Sequence, residues 1–285
     1  MTFPSPVELR TPELDWGRSD IEQRMLFPGG RFTKVNALLS GLLAGLLTAA
    51  FYGILTTPWL RGGYLDAIFT QRGPTQHATV FFFFWCLVIL TIKWLKLRFQ
   101  RRALEVRVIP QEAGFVLSTA TVDRVLDRIH AAVDDPRNFI IFNRLVVALA
   151  NLRNLGHVGD VDEILRSQAS QDEAAIDTSY ALLQGFVWAI PVLGFIGTVL
   201  GLSEAIGQFS GVLGATQDVS QISSALKGVT AGLATAFDTT LVALVAALVV
   251  QLLITVMRKN EEEFLDVAME YGLKNVVGRL RIADD

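Results

Sequence analysis

The sequence predicts an all-α membrane protein with four transmembrane helices, a helical cytoplasmic domain between the second and third of them, and a cytoplasmic C-terminal helix. Of the 285 residues 51% are apolar, and the charged residues lie mostly outside a few long apolar blocks. These blocks reach the roughly 20 residues that a helix needs to cross about 30 Å of hydrocarbon. The polar part of the chain has no alternating pattern that would indicate β-strands.

The chain begins with a polar segment and a first pair of spans. Residues 1–35 contain prolines, glycines and mixed charges, and we expect a cytoplasmic N-terminal tail there. Residues 36–97 form the first transmembrane hairpin, with spans over 37–57 and 78–97. The polar connection between these two spans includes Arg72.

Basic residues predict the orientation of the chain in the membrane. Lys93 and Lys96 lie near the end of the second span, and we expect their ammonium groups to reach the lipid headgroups. Arginines follow at once, at positions Arg98, Arg101, Arg102 and Arg107. The positive-inside rule therefore makes this end cytoplasmic, so that both termini are predicted to be cytoplasmic too.

Two further segments are predicted to lie in the cytoplasm. Residues 98–180 contain helical periodicity and form a helical cytoplasmic domain, and residues 258–285 form a C-terminal amphipathic helix. The acidic residues of the domain show no arrangement that indicates catalysis, and a solvated helix face explains them.

The second hairpin covers residues 181–257 and is predicted to line a pore, with an outer link over 207–227. Small residues at spacings of three and four let two helix backbones approach closely in lipid. The residues predicted to provide this helix packing at the pore are Pro191, Gly194, Gly197 and Gly201 in one span and Ala231 and Gly232 in the other.

Polar side chains accompany these small residues. Thr198 and Thr235 are predicted to lie level with each other in the antiparallel pair, with Asp238 about 4.5 Å deeper. An ionised carboxylate near the middle of the membrane costs at least about 2.5 kcal/mol, and no other span offers it a basic partner. Asp238 therefore lies on an ion path or is held by hydroxyl groups such as that of Thr239. Glu204, near the outer interface, is either solvated at the helix end or part of an ion vestibule.

Other function classes find little support. The single cysteine and three histidines have no spacing typical of metal ligands, so no metal or cofactor is predicted. No nucleophile and base pair and no phosphate-binding loop is present, which argues against an enzyme. The net charge of -3 gives no indication of nucleic acid binding.

Two sequence segments resemble the MotA/TolQ/ExbB proton channel family. WAIPVLGFIGTVLGL at 188–202 and ALKGVTAGLATAFDTTLVAL at 225–244 are similar to the glycine-rich helix of that family and the helix that follows it. The resemblance implies a homopentamer around a dimer of a single-span ExbD/TolR/MotB-like subunit with a transmembrane aspartate, in a bacterial inner membrane. It also implies that Thr198 and Thr235 line the ion path of a rotary motor.

The chain departs from the family pattern at several positions. Thr230 replaces a glutamate of the ExbB-like and TolQ-like members, and Asp238 stands where they have a small or apolar residue. The residue before the second threonine is Ala234, and in this respect the chain resembles the proton-using members more than the sodium-using ones, which have a threonine there. The four predicted spans resemble MotA, whereas ExbB and TolQ proteins have three.

Three hypotheses follow for the function. The first is an ion channel, for protons by resemblance, that also acts as the stator subunit of a motor that drives envelope transport or a related task. The second is a stand-alone channel or secondary transporter, and the third is a non-conducting membrane scaffold.

Overall fold

The computed structural model describes residues 14–25, 27–106, 108–109, 117–118, 121–155, 158–213 and 219–279. Within these ranges the chain is helical and contains no β-strand, apart from an isolated bridge between Leu14 and Val133. The predicted all-α class is therefore confirmed.

The described helices follow one another along the whole chain. Their bounds are α1 Trp16–Ser19, α2 Ile21–Arg24, α3 Ala37–Leu55, α4 Tyr64–Thr70, α5 Pro74–Ala103, α6 Val122–Ala132, α7 Ile140–Leu155, α8 Val158–Ser179, α9 Ala181–Leu213 and α10 Val219–Asn275. In these ranges four helical stretches are long and apolar enough to cross a membrane: Ala37–Leu55, Pro74–Ala103, Val161–Phe209 and Ile222–Asn275. The chain is thus a multi-pass membrane protein.

The second hairpin has longer helices than the sequence predicted. α9 continues to Leu213 and α10 begins at Val219, so both extend into the predicted outer link. At about 1.5 Å per residue, the 57 residues of α10 extend about 86 Å, nearly three times the hydrocarbon thickness of about 30 Å. Gly207 and Gly211 of the predicted link lie within α9, because an isolated glycine weakens a helix by only about 1 kcal/mol.

The chain divides into two compact units, and the division falls within α5 and α10. The polar unit consists of Met1–Asn36, Ile92–Ser179 and Arg258–Asp285, and the apolar unit consists of Ala37–Thr91 and Tyr180–Met257. The apolar unit contains most of both transmembrane hairpins.

The core of the polar unit includes side chains of α1, α6 and α7. The buried side chains of α6 repeat at helical spacing, and Phe139 and Phe142 lie beside them in the core. Trp16 packs edge-on against Phe139, with ring centroids 5.3 Å apart. The ion pair of Arg144 and Asp172, at 2.6 Å, joins α7 to α8.

Lys96 does not extend towards lipid headgroups, and that expectation is wrong. Its ammonium group is buried in the polar unit, 2.6 Å from the carboxylate of Glu22 and 2.8 Å from the carbonyl oxygen of Lys34. Glu22 is itself fully buried and accepts hydrogen bonds from the backbone N–H groups of Gly30 and Asn36. Residues of the tail therefore fold around Lys96, because a buried charge requires a partner of opposite sign.

Lys93 is buried in the same way. Its ammonium group lies 3.1 Å from Glu261 of α10, and both side chains are fully buried. The ammonium also donates to the hydroxyl group of Ser179 at 2.8 Å. A buried ion pair joins α5 to α10 within the polar unit, where the sequence predicted a solvated lysine.

Aromatic side chains pack the helices of the apolar unit. The indole N–H of Trp85 in α5 donates to the hydroxyl group of Ser40 in α3 at 3.0 Å. Phe186 of α9 contacts both Phe82 and Trp85, with ring centroids 4.9 and 4.6 Å away. These contacts connect the first hairpin to α9.

The buried pair of Lys96 and Glu22 gives a stability prediction. Lys96→Met leaves the carboxylate of Glu22 buried without its cation, and we expect a loss of about 3–5 kcal/mol. Lys259→Met is the matched control, because Lys259 pairs with Glu263 on an exposed surface, where such pairs contribute less than about 1 kcal/mol. Thermal unfolding in detergent measures both variants, and equal unfolding temperatures would contradict the prediction.

Candidate ion-path site

α9 and α10 contact each other along a line of small residues that we name the glycine seam. It consists of Gly194, Gly197 and Gly201 of α9 and Gly232 of α10. A carbon atom added at Gly201 would lie 2.6 Å from the carbonyl oxygen of Gly232, and one added at Gly194 would lie 2.5 Å from Cβ of Ala243. Real Cβ atoms do not approach other atoms so closely, so these positions accept only glycine unless the helices move apart.

Hydroxyl groups lie beside the seam. The side chains of Thr198 and Thr240 form a hydrogen bond between α9 and α10. Both hydroxyl oxygens also lie 3.1–3.2 Å from the carbonyl oxygens of Gly194 and Ala236. Because each hydroxyl has one proton and several acceptors in reach, the pair can exchange hydrogen bonds by rotation.

Thr239 is held within the seam itself. Its side chain is buried, its hydroxyl donates to the carbonyl oxygen of Thr235 at 2.9 Å, and a carbon added at Gly197 would meet its Oγ1 at 2.5 Å. This hydroxyl satisfies the backbone of its own helix and does not contact Asp238 through any described hydrogen bond. The hypothesis that Thr239 holds the acid thus finds no support in the described contacts.

Asp238 has a basic partner from the link between α3 and α5. Nη2 of Arg72 lies 2.7 Å from Oδ2 of Asp238, and about 17–18% of each side chain is exposed. Nη1 of Arg72 also donates to the hydroxyl oxygen of Thr235, at 3.5 Å. The other spans contain no basic partner for this carboxylate, and Arg72 reaches it from outside the spans.

The arginine also changes the depth assigned to Asp238. Arg72 precedes α5, which begins at Pro74, so the carboxylate lies level with the start of that helix. The contact favours a position near the end of a span over the predicted position near the middle of the membrane. An acid close to the end of a span costs less than one at the centre, and its arginine partner lowers the cost further.

The structure divides the predicted ion-path residues into two groups. Thr235 and Asp238 both face Arg72, whereas Thr198 faces Thr240 in the seam. The level arrangement of Thr198 with Thr235 is wrong, since the carbonyl oxygen of Ala236 and the side chain of Thr240 lie opposite Thr198. The prediction assumed that Thr198 and Thr235 are equally far along the chain from the middle of the link. In the structure, α9 and α10 are shifted relative to each other by about one helical turn from that arrangement.

The remaining predicted positions vary in their surroundings. Gly194, Gly197, Gly201 and Gly232 are buried in the seam, as expected for helix packing. Pro191 lies inside α9 and is half-buried. Ala231 and Glu204 are exposed, and the carbonyl group of Ala231 accepts the hydroxyl proton of Thr235 at 3.1 Å.

Sequence reasoning missed Arg72 and Thr240 as members of the site. Arg72 was assigned to the polar connection between the first two spans, and the sequence around it does not indicate which acidic residue it pairs with. Thr240 had a usable signal, because it is one residue from Thr239 and four from Ala236 on the face of α10 that contacts α9.

In the parts of the chain that the structure describes, no group of three or more histidine, cysteine or acidic side chains is arranged to bind a metal ion. The polar groups of the site are hydroxyls, one carboxylate and one guanidinium group. Such groups can relay protons or bind a monovalent cation, and they contain no nucleophile activated by a neighbouring base.

The fold and the site together define a multi-pass membrane protein with a tightly packed helical hairpin that carries polar groups within the apolar unit. Residues 141–269 match the model of the MotA/TolQ/ExbB proton channel family, and this match supports the resemblance seen in the sequence. The matched region includes α8 and α9 and most of α7 and α10. No curated protein and no solved structure matches the chain significantly.

The glycine seam gives a prediction with a matched control. Gly201→Ala places a methyl group against the backbone of α10, and we expect a loss of about 1–3 kcal/mol from overpacking. Gly207→Ala lies on the same helix in open space, and the better helix propensity of alanine stabilises it by up to about 1 kcal/mol. Thermal unfolding in detergent should therefore shift in opposite directions, and a shift of the same sign would contradict the seam.

Proposed function

We propose that this chain is the proton channel and stator subunit of a rotary motor that converts ion-motive force into mechanical work on a single-span partner, for envelope transport or a related task. The observation that carries the proposal is the family match across α9 and α10, at the helices where glycines and hydroxyls form the seam. A channel needs helices that pack closely enough to leave polar groups inside the membrane as its wall.

The proposed assembly is a 5:2 complex. Five copies of this chain would surround a dimer of an ExbD/TolR/MotB-like subunit whose transmembrane aspartate takes up the ion. Apolar side chains on α10 remain exposed and support packing against lipid, other copies or the partner: Leu233, Phe237, Leu241, Leu244 and Leu248. The proposed location is a bacterial inner membrane, with both termini in the cytoplasm.

The proposed ion path involves Thr198, Thr235 and Asp238. Asp238 lies level with the start of α5, so it would act near the mouth of the path, and the hydroxyl of Thr198, which contacts Ala236 and Thr240, would act beside it at the same depth. Glu204 is exposed on α9 and supports a vestibule at the same end. In this proposal the chain is not an enzyme, because its chemistry is the transfer of an ion and breaks no covalent bond.

A non-conducting scaffold is the second candidate, and one observation favours it. Asp238 is paired with Arg72, so the carboxylate also has an explanation as a contact between the two hairpins. A scaffold would retain its role when the charge pair is replaced by neutral residues, whereas a motor subunit would retain assembly and lose activity.

The assembly is tested by expressing the chain with a single-span protein encoded by a neighbouring gene. We expect the two proteins to purify together, and native mass spectrometry should give five copies of this chain with two of the partner. A monomer of this chain in mild detergent, with no bound partner, would contradict the motor.

The ion path is tested by two substitutions in the purified complex. We expect Thr235→Val and Asp238→Asn to reduce proton flux into liposomes on the order of 100-fold. Thr235→Val removes a hydroxyl that can relay a proton, and Asp238→Asn leaves the positive charge of Arg72 uncompensated beside the path. Thr255→Val is the control, since Thr255 is exposed and its hydroxyl donates to the carbonyl group of Gln251 in its own helix. Normal flux in both variants would remove the assigned path.

A further inference from the structure

The contact of Arg72 with α10 has the geometry of an occupied cation site. The guanidinium group touches two oxygen atoms of α10, Oδ2 of Asp238 at 2.7 Å and Oγ1 of Thr235 at 3.5 Å. The hydroxyl of Thr235 donates its own proton to the carbonyl group of Ala231, so its lone pairs are available to a positive group. A carboxylate and a hydroxyl oxygen are the kind of ligands that hard cations prefer.

The link before α5 is built to hold Arg72 in this place. The carboxylate of Asp66 accepts hydrogen bonds from the backbone N–H of Gly62 and the hydroxyl of Thr70, both at 2.8 Å. Gly73 has a φ of +85°, which favours glycine, and it turns the chain directly after Arg72. α5 then begins at Pro74, whose fixed φ suits the first position of a helix.

Phe51 and Tyr52 of α3 support the same link. Phe51 packs edge-on against Phe69 of α4 with ring centroids 5.2 Å apart, and Tyr52 stacks on His77 at 4.6 Å. The ring of His77 is also hydrogen-bonded to the carbonyl group of Gly73 at 3.1 Å. The backbone on both sides of Arg72 is thus fixed to the first hairpin.

We propose that Arg72 is a tethered cation that fills the site formed by Asp238 and Thr235, and that it thereby excludes Na⁺ and other alkali cations from this site. Less than one fifth of either charged side chain is exposed, so their attraction is stronger than in bulk water. A free cation can bind the carboxylate only when the guanidinium group leaves. Arg72 is therefore a residue that determines ion specificity.

The consequence of this role is that the chain would conduct protons and exclude sodium. That consequence rests on the proposed function. An arginine in a polar passage is an electrostatic barrier to protons and other cations unless its charge is compensated. The pair of Arg72 and Asp238 carries no net charge, and a proton can pass along hydroxyl and water oxygens without a vacant cation site. The filled site thus explains how an acid on α10 is compatible with a proton path.

Sodium binding to the purified chain tests the proposal without any measurement of ion flux. Arg72→Gln removes the tethered cation, and we expect stoichiometric binding of ²²Na⁺ and a higher unfolding temperature in NaCl than in choline chloride. The wild type should show neither effect. Arg61→Gln, at an exposed arginine of the same link, is the matched control and should behave like the wild type.

Two further variants separate a cation site from general destabilisation. Arg72→Lys retains a tethered charge and should not bind Na⁺, and the double variant R72Q/D238N lacks the carboxylate and should not bind it either. Sodium binding that persists in the double variant, or equal sodium effects in wild type and R72Q, would overturn the proposal.

If R72Q folds poorly, the yield of folded protein in NaCl and in choline chloride tests the proposal. Recovery of R72Q in NaCl but not in choline chloride supports the proposal, because Na⁺ then replaces the guanidinium group. Loss of R72Q in both salts would overturn it, since Arg72 would then hold the link and no cation could take its place. A chain that conducts no protons but binds Na⁺ only without Arg72 would refute the proposed function and leave this inference intact.

Discussion

The close approach of α9 and α10 at the glycine seam is the constraint on which the rest of the apolar unit depends. Gly201 and Gly232 bring the two backbones so near that a single Cβ atom would separate them. In lipid, helices gain little from apolar contact alone, and close backbone packing is one of the few forces that hold them together. The seam therefore fixes which face of each helix is buried.

The seam determines the surroundings of the neighbouring groups on α10. Because Gly232, Ala236 and Ala243 face α9, the adjacent face of α10 directs Thr235 and Asp238 towards Arg72. The opposite face remains apolar and exposed, with Phe237 and Leu244 among its side chains. One helix thus presents a packing face, a polar face and an apolar face, and the proposed assembly would use all three.

The sequence predicted those features that depend on residues near one another in the chain. Hydropathy located the spans, and the three- and four-residue spacing of glycines located the seam, because both patterns follow from helix geometry. It did not predict that Arg72 pairs with Asp238, since that contact joins distant segments and depends on the register of packed helices. The burial of Lys96 against Glu22 was not predicted for a related reason. A lysine that extends towards headgroups and one that binds a buried Glu22 have the same local sequence, and only the folded tail distinguishes them.

If Thr235 and Asp238 belong to an ion path, the polar face of α10 borders water within the membrane. Cys86 is the only cysteine and is buried, so a variant in which alanine replaces it provides a background for labelling. In native membranes, Thr235→Cys should react with a membrane-impermeant methanethiosulfonate reagent, because the reaction requires water and a thiolate. Leu46→Cys, on the exposed apolar face of α3, should remain unlabelled. An unreactive cysteine at position 235, or equal labelling at both positions, would contradict the account.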